Sequence, residues 1–435
     1  MAQSELHQRG LEQLKAGNYE EARRLFREYG ERTGTTAETQ ALLRQAENLL
    51  SAGDMNGAAP LYARVLERNP SLHEVYLGLV RIGLATQQID AARIHARAAV
   101  KLAPGNSLAW ALRGLVNEAG GDLEAALGDL RRAVELAPSD FLGQYNYGRL
   151  LAVSGSPVEG IAPLLQATRL EPRNADALYV LGKVCHKAGQ SDEARRALEQ
   201  ATQLTPRRVD AWATLGDVLF GQKKFKEARG VFDQGLARCG DHPVLLEKAL
   251  ATAMLLSDAQ GAIDYVEREL KVVPHHEQGW INLAQLTLAN GEPERSEAAA
   301  RELLKNNPRN WEAWYHLGNL YEAGKKTREA EETYRKAVEC APGNWKPLNN
   351  LGMLLLELQE PKKNAEGVAL LERTLPLTPR GELRPHYNLA LGYTKLGQRE
   401  KALPLAHRVA TEAPANTSLA SEARRLETEL KTVRH

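Results

Sequence analysis

The sequence predicts an all-α fold, a solenoid of stacked helix-turn-helix units, and three observations carry the prediction. Proline recurs at Pro70, Pro104, Pro138, Pro172 and Pro206, then at Pro274, Pro308 and Pro342, always 34 residues apart or twice that. Small residues recur in phase with those prolines. Glycine recurs midway between them, at Gly17, Gly53, Gly121, Gly155, Gly189, Gly291 and Gly397. A fixed period of this length marks a repeat architecture, in which each unit buries its apolar face only by stacking on the next.

Within one period the elements follow in order. The first helix opens with a large apolar residue at position 4, as at Trp110, Trp212, Trp280 and Trp314, which are expected to be core. It carries Gly or Ala at position 8 in ten units, Val80 and Leu250 being the exceptions. Glycine inside a helix costs about 1 kcal/mol against alanine, so close packing has to offset it. The midway glycines then supply a left-handed C-cap for the turn. At position 20 the second helix has nine Ala, with Gly160, Ser296 and Gly367 in the other units. A larger side chain there would force the two helix axes apart. The proline near position 32 stops the second helix, since it lacks an N–H and restricts its predecessor.

The run Trp110, Arg113, Gly114, Gly121, Ala126, Leu130, Ala133 and Pro138 shows the whole pattern. It resembles the tetratricopeptide repeat, a 34-residue helix-turn-helix family with this W, L-G, A and P signature. The resemblance covers residues 3 to about 416 in twelve units, starting at Gln3, Thr39, His73, Ser107, Phe141, Ala175, Val209, Pro243, Glu277, Trp311, Trp345 and Leu383. It implies a single right-handed α-solenoid over 3–416, with a polar-backed capping helix and tail over 417–435. Repeat eight, 243–276, is the weakest match, because Leu250 replaces the small residue, Ser257 replaces glycine and Gly240 stands at the preceding joint. The interval from Pro342 to Pro379 is 37 residues, and the excess is expected in the turn around Glu360, Pro361, Lys362, Lys363 and Asn364.

Composition narrows the function classes. With 56 basic and 55 acidic residues the net charge is +1, which gives no support for nonspecific nucleic-acid binding. Mean hydropathy is negative and no apolar run approaches 18 residues, so no membrane span is expected. No apolar signal segment precedes the first helix. Cytoplasm is the expected compartment, or periplasm if a signal segment has been removed. Cys185, Cys239 and Cys340 are too few and scattered for a disulfide framework or a zinc site, and Cys185 reads as a packing residue.

Signatures of chemistry are sparse. The sequence holds no phosphate-binding glycine loop of the G-x-x-x-x-G-K type, no H-E-x-x-H and no G-x-S-x-G. His275 and His276 adjoin in a joint and read as a solvated pair. Gly221 to Lys226 is a short basic turn of the kind usually solvated. The chain is therefore expected to be noncatalytic and to need no cofactor or metal.

The family resemblance implies that first helices line a concave face, with positions 2, 5, 6, 9 and 12 pointing inward. In repeats four to six these positions offer Tyr145, Asn146, Arg149, Tyr179, Lys183 and His186, aromatic groups interleaved with cations and suited to a peptide's apolar anchors and acidic side chains. Toward the C-terminal end, position 6 reads Asn282, His316, Asn350 and Asn388. This looks like the asparagine ladder of the repeat arm of O-linked N-acetylglucosamine transferase, in which side-chain amides pair with peptide backbone. The carboxylate clamp of co-chaperone adaptors is similar in part: Asn319, Asn350 and Arg384 match, while Tyr315 and Asn388 stand where cations belong. The same asparagines also fit a purely structural role. Four neutral hydrogen bonds at roughly 1 kcal/mol each would barely offset the ordering of an unstructured ligand. Tyr315, Tyr387 or Met353 are therefore expected as anchors.

The leading expectation is a scaffold that holds a partner protein or extended peptide in its groove and supports assembly of a larger complex. The alternative is a regulatory or substrate-delivering subunit of an enzyme complex, such as a glycosyltransferase or a secretion machine. Helical-repeat RNA recognition is disfavoured by the absence of a strongly basic face. Pairing of two copies through convex faces or terminal helices stays open.

Overall fold

The computed structural model describes residues 2–358 and 360–432. It forms two compact units, Met1–Cys239 and Gly240–His435. Among the described residues there are 25 α-helices and no strand.

Unit one opens with α1 (Ala2–Lys15), α2 (Tyr19–Thr33), α3 (Thr36–Ser51), α4 (Met55–Arg68), α5 (His73–Ala85) and α6 (Ile89–Leu102). It continues with α7 (Ser107–Ala119), α8 (Leu123–Leu136), α9 (Phe141–Val153), α10 (Pro157–Leu170), α11 (Ala175–Lys187), α12 (Ser191–Leu204), α13 (Val209–Gly221) and α14 (Phe225–Cys239). Unit two holds α15 (Pro243–Leu255), α16 (Ala259–Val272), α17 (Glu277–Ala289), α18 (Pro293–Asn306), α19 (Trp311–Ala323) and α20 (Thr327–Cys340). After these come α21 (Trp345–Glu357), α22 (Pro361–Thr374), a 3-10 turn at Leu375–Leu377, α23 (Arg384–Lys395), α24 (Arg399–Glu412) and α25 (Ser418–Thr432). Consecutive helices pack as pairs, and α25 covers α24 with Ala420, Ala423, Leu426 and Leu430. Nine of the twelve first helices begin on the residue the period predicts, from His73 through Trp345.

Each pair is held by one close crossing. Position 20 is fully buried at Ala126, Ala194, Ala228, Ser296 and Ala330. A methyl added to the position-8 glycine would run into the residue at position 24: it would stand 2.5 Å from Leu198 at Gly182, 2.0 Å from Phe232 at Gly216 and 2.3 Å from Tyr334 at Gly318. Position 8 is therefore small because a large side chain from the second helix occupies its space, and that packing offsets the helix penalty of glycine. Repeat eight reverses the arrangement, with Leu250 buried at position 8 and the smaller Val266 at position 24.

The turns and joints are fixed by hydrogen bonds. Asn106, Asp140, Asn174 and Asn310 cap the first helices that follow them, as when Asn106 accepts the Ala109 N–H at 3.1 Å. The tryptophans have a second role that periodicity does not reveal. The indole N–H of Trp110, Trp212, Trp280 and Trp314 donates to the carbonyl of the proline six residues earlier, at 2.8–2.9 Å. Tyr76 and Gln144 do the same at Pro70 and Pro138. The proline that ends one repeat is thereby tied to the next first helix. Only Trp212 of the four tryptophans is buried; Trp110, Trp280 and Trp314 are half-buried over the joint, which corrects their expected core placement.

Two further expectations are corrected. The excess of repeat eleven does not lengthen the turn: Pro361, Lys362 and Lys363 are the first residues of α22, which has 14 residues like α20, the crossing lies three residues further into it, and the 3-10 turn Leu375–Leu377 follows. Gly367 then meets Gly352, 15 positions away, as Gly160 meets Gly148 at 12. His276 is not a free loop residue, since its Nδ1 lies 2.8 Å from the buried Glu269 carboxylate.

Candidate functional site

The sequence-predicted residues of unit one are largely occupied. Tyr145 stacks on Phe141, with centroids 5.5 Å apart and planes at 11°. Asn146 is buried, donates to the Leu142 carbonyl at 2.8 Å and accepts from Arg149 at 3.3 Å. Arg149 makes a bidentate pair with Glu118, at 2.8 and 2.6 Å. Half-burial of both partners makes this more than a surface ion pair. Tyr179 is buried beneath the Arg208 guanidinium, 4.0 Å from the ring centroid, and Lys183 lies 5.5 Å from the same ring. Lys183 and His186 are exposed. The patch thus offers cations at its edge, while its asparagine and Tyr179 are structural.

In unit two the inward positions of repeats nine to eleven surround a cavity of about 390 Å³. Its wall takes Ile281, Gln285 and Leu288 from α17, Glu312, Tyr315, His316 and Asn319 from α19, and Lys346 from α21, with Trp280 and Trp311 beside them. Beneath it runs a polar network. The Asn350 amide donates to the Tyr315 hydroxyl at 3.1 Å and to Asn319 Oδ1 at 2.9 Å. Asn319 Oδ1 also lies 2.7 Å from the hydroxyl of Tyr334, which reaches through from α20 and contacts Glu322. Burial pushes the Tyr315 and Tyr334 hydroxyls above their ordinary range, so both stay protonated. His316 packs on the buried Ser296 hydroxyl at 2.7 Å, and burial lowers its pKa, keeping the ring neutral.

The rest of the expected ladder does not open on that cavity. Asn282 accepts from Gln278 at 3.0 Å. Asn388 is buried and donates to the buried Asn349 at 2.9 Å, and Tyr387 lies in the apolar cluster around Leu371, Leu389 and Leu426. Arg384 pairs with Glu422 of α25 at 3.3 Å. As side chains offered to a ligand, Asn388 and Tyr387 are therefore corrected: they hold α23 against its neighbours. Conversely, Ile281, Gln285, Leu288, Trp311, Glu312 and Lys346 line the cavity without having been singled out by sequence. Their signal was available, because all but Trp311 sit at the inward positions named from the repeat, whereas Ala300 and Leu303 on the wall and Tyr334 beneath it come from second helices.

Among the described residues no three His, Cys, Asp or Glu side chains converge as a metal site. No helix among them is long and apolar enough to cross a membrane. Cys185 is fully buried, and burial pushes its thiol up to about 11, consistent with packing.

Stacked helix pairs with a polar and aromatic inner wall define a helical-repeat protein. Family models described as the tetratricopeptide repeat match residues 7–72, 113–175, 186–243 and 281–344, others residues 49–116 and 164–196, and the chain belongs to that family. The matches pass over 244–280, the span of the divergent repeat eight. No curated protein matches in sequence. Similar solved structures include yeast Tom70, 15% identical with a TM-score of 0.40 over 91% of this chain and 96% of that one. The APC/C hetero-tetramer Cut9-Hcn1 is 12% identical with a TM-score of 0.40, over 99% and 96%. PilF of Pseudomonas aeruginosa is 19% identical with a TM-score of 0.40, over 50% and 97%. Tetratricopeptide repeat proteins generally mediate protein–protein interactions and complex assembly, and the matched models indicate no catalytic family.

Proposed function

We propose that the chain is a noncatalytic scaffold that seats an extended segment of a partner protein on the inner wall of unit two, supporting assembly of a larger complex. The observation that carries this reading is the cavity of about 390 Å³ to which three consecutive first helices bring inward-position residues, with Ala300 and Leu303 of α18 closing it from behind. Trp280, Ile281, Leu288 and Trp311 give it an apolar floor for one anchoring side chain. Gln285, Asn319, Glu312 and Lys346 give it polar groups for the backbone and flanking residues of a peptide. The division of labour follows from magnitudes: neutral hydrogen bonds give roughly 1 kcal/mol each, whereas a buried aromatic or aliphatic anchor supplies 2 kcal/mol or about that much more. We place this function in the cytoplasm, as part of the same proposal.

The test is Ile281→Glu, which puts a charge on the apolar floor without touching the helix crossing. Far-ultraviolet circular dichroism is expected to be unchanged. Proteins captured from the source cell by the wild-type chain and identified by mass spectrometry are expected to be lost. An unaltered set of captured proteins would remove the inner wall of unit two as the interface.

A further inference from the structure

We propose that the cavity of unit two takes an aromatic side chain carrying its own hydrogen-bond donor, a tyrosine or a tryptophan, and binds that donor at Nδ1 of His316. This rests on the inner-wall reading and names the anchor that the wall selects. Its basis is a hydroxyl with one proton to give. Ser296 is fully buried, and its Oγ donates to the Ala284 carbonyl at 2.7 Å. A carbonyl oxygen only accepts, so the hydroxyl proton is committed there. Nε2 of His316 lies 2.7 Å from the same Oγ and must therefore bring a proton of its own. Burial keeps the ring neutral, so Nδ1 has a lone pair and no proton. That nitrogen makes no hydrogen bond within the protein and is not closed off from solvent. The chain from Ala284 through Ser296 to His316 thus fixes one tautomer and sets an acceptor on the cavity wall. Both links are departures from the repeat: nine units have Ala where Ser296 stands, and His316 interrupts a row of asparagines.

The surroundings of this acceptor define the rest of the ligand. Ile281, Ala284, Leu288, Ala300 and Leu303 make the wall around it apolar. The nearest polar groups are engaged, since the Tyr315 hydroxyl and Asn319 Oδ1 both accept from the Asn350 amide. An aliphatic anchor or a phenylalanine fills the apolar space but strips the imidazole lone pair of any donor. An aromatic ring bearing an O–H or N–H satisfies both demands. Charge complementarity sets the flanks. Glu312 of α19 and Lys346 of α21 line the cavity, and neither side chain has an ion pair or a hydrogen bond. A segment with a basic residue on one side of the aromatic and an acidic residue on the other meets both charges.

Isothermal titration of the full chain tests the proposal with acetylated, amidated pentapeptides. Each has lysine at one end, glutamate at the other and tyrosine, tryptophan or phenylalanine at the centre, and both charge orders are made. In the tighter-binding order, tyrosine or tryptophan is expected to bind about tenfold more tightly than phenylalanine, because the latter leaves Nδ1 unanswered. His316→Leu is expected to erase that preference while Ser296 keeps its bond to Ala284. Ser296→Ala installs the residue that other repeats carry, so the fold is kept, and it is expected to weaken the preference by freeing the tautomer. Nitrogen-15 NMR of the histidine rings checks the same link without a ligand: the His316 signals, identified by their absence in His316→Leu, are expected to show Nδ1 unprotonated. A protonated Nδ1, a preference that survives His316→Leu, or no saturable binding of any peptide overturns the proposal. So do equal affinities for the three aromatics, the result expected if a main-chain amide answers Nδ1. That last outcome leaves the inner-wall reading standing, which capture by Ile281→Glu decides separately.

Discussion

Repeats five and ten solve one packing problem in opposite ways, and the difference shows how a helix crossing becomes part of a binding wall. In repeat five both crossing positions are glycine: a methyl on Gly160 would stand 2.4 Å from the Gly148 carbonyl oxygen, so backbone rests on backbone, and Leu164 fills the remaining space. In repeat ten the small residue at the crossing is the fully buried Ala330, and the fully buried Tyr334 fills the slot above Gly318. Leucine ends at the crossing. Tyrosine passes through it and delivers a hydroxyl to Asn319 and Glu322, beneath the inner wall. A second-helix residue thereby fixes first-helix groups that line the cavity.

The sharpest way to break this comparison is to shorten Tyr334. Tyr334→Ala is expected to destabilise unit two by about 3–5 kcal/mol, read by urea denaturation, because it empties a fully buried aromatic site. Tyr334→Phe keeps the ring and loses only the hydroxyl contacts, at about 1–3 kcal/mol given the charged acceptor. Only the tyrosine should show such a separable polar share, since Leu164→Ala in repeat five has no hydroxyl to lose. Equal stability of Tyr334→Phe and wild type would reduce the network to a bystander.

Gly160→Ala tests the other side. Helix propensity alone predicts a gain of about 1 kcal/mol, while the close backbone approach predicts a loss of about 1–3 kcal/mol. Loss is expected, since the atom in the way is a carbonyl oxygen that cannot rotate aside. Thermal denaturation gives the sign directly. A stabilised variant would mean that repeat five tolerates the alanine that repeat ten carries at its crossing.

The same contrast explains what was legible in the sequence. Prolines, small residues and turn glycines placed nine helix starts to the residue, because each answers a backbone constraint that recurs with the period. The inward positions led to Tyr315, His316 and Asn319 for the same reason. Burial of Asn388 against Asn349, 39 residues earlier, was not legible, because which of two asparagines faces solvent depends on the neighbour's side chain and not on position. Nor was the role of Tyr334. Large residues at position 24 look alike in the pattern, and only the slot over Gly318 shows that one of them reaches the far side. The helical state of Pro361–Lys363 escaped because a proline at the start of a helix and a proline in a turn read alike.

The smallest effect lies in the turns. Repeat five has Gly155 at φ +97° and repeat ten has Lys325 at φ +58°, both at position 15 and both closing the same wide backbone bond, Ser156 to Leu151 at 2.9 Å and Lys326 to Tyr321 at 2.8 Å. The lysine sits at the centre of the left-handed basin, where a non-glycine residue carries about 1–2 kcal/mol of strain. Lys325→Gly relieves that strain but frees the unfolded chain by about 0.4–1 kcal/mol, so a net gain of about 0.5–1 kcal/mol is expected. Gly155→Lys meets no atom within 4 Å, so space is not its obstacle. At +97°, outside that basin, its backbone is expected to cost more than the lysine of repeat ten does. Hydrogen exchange across the two turns compares the pair, and a Gly155→Lys variant as protected as wild type would show that the turn bonds, not the residue's own torsions, set the conformation.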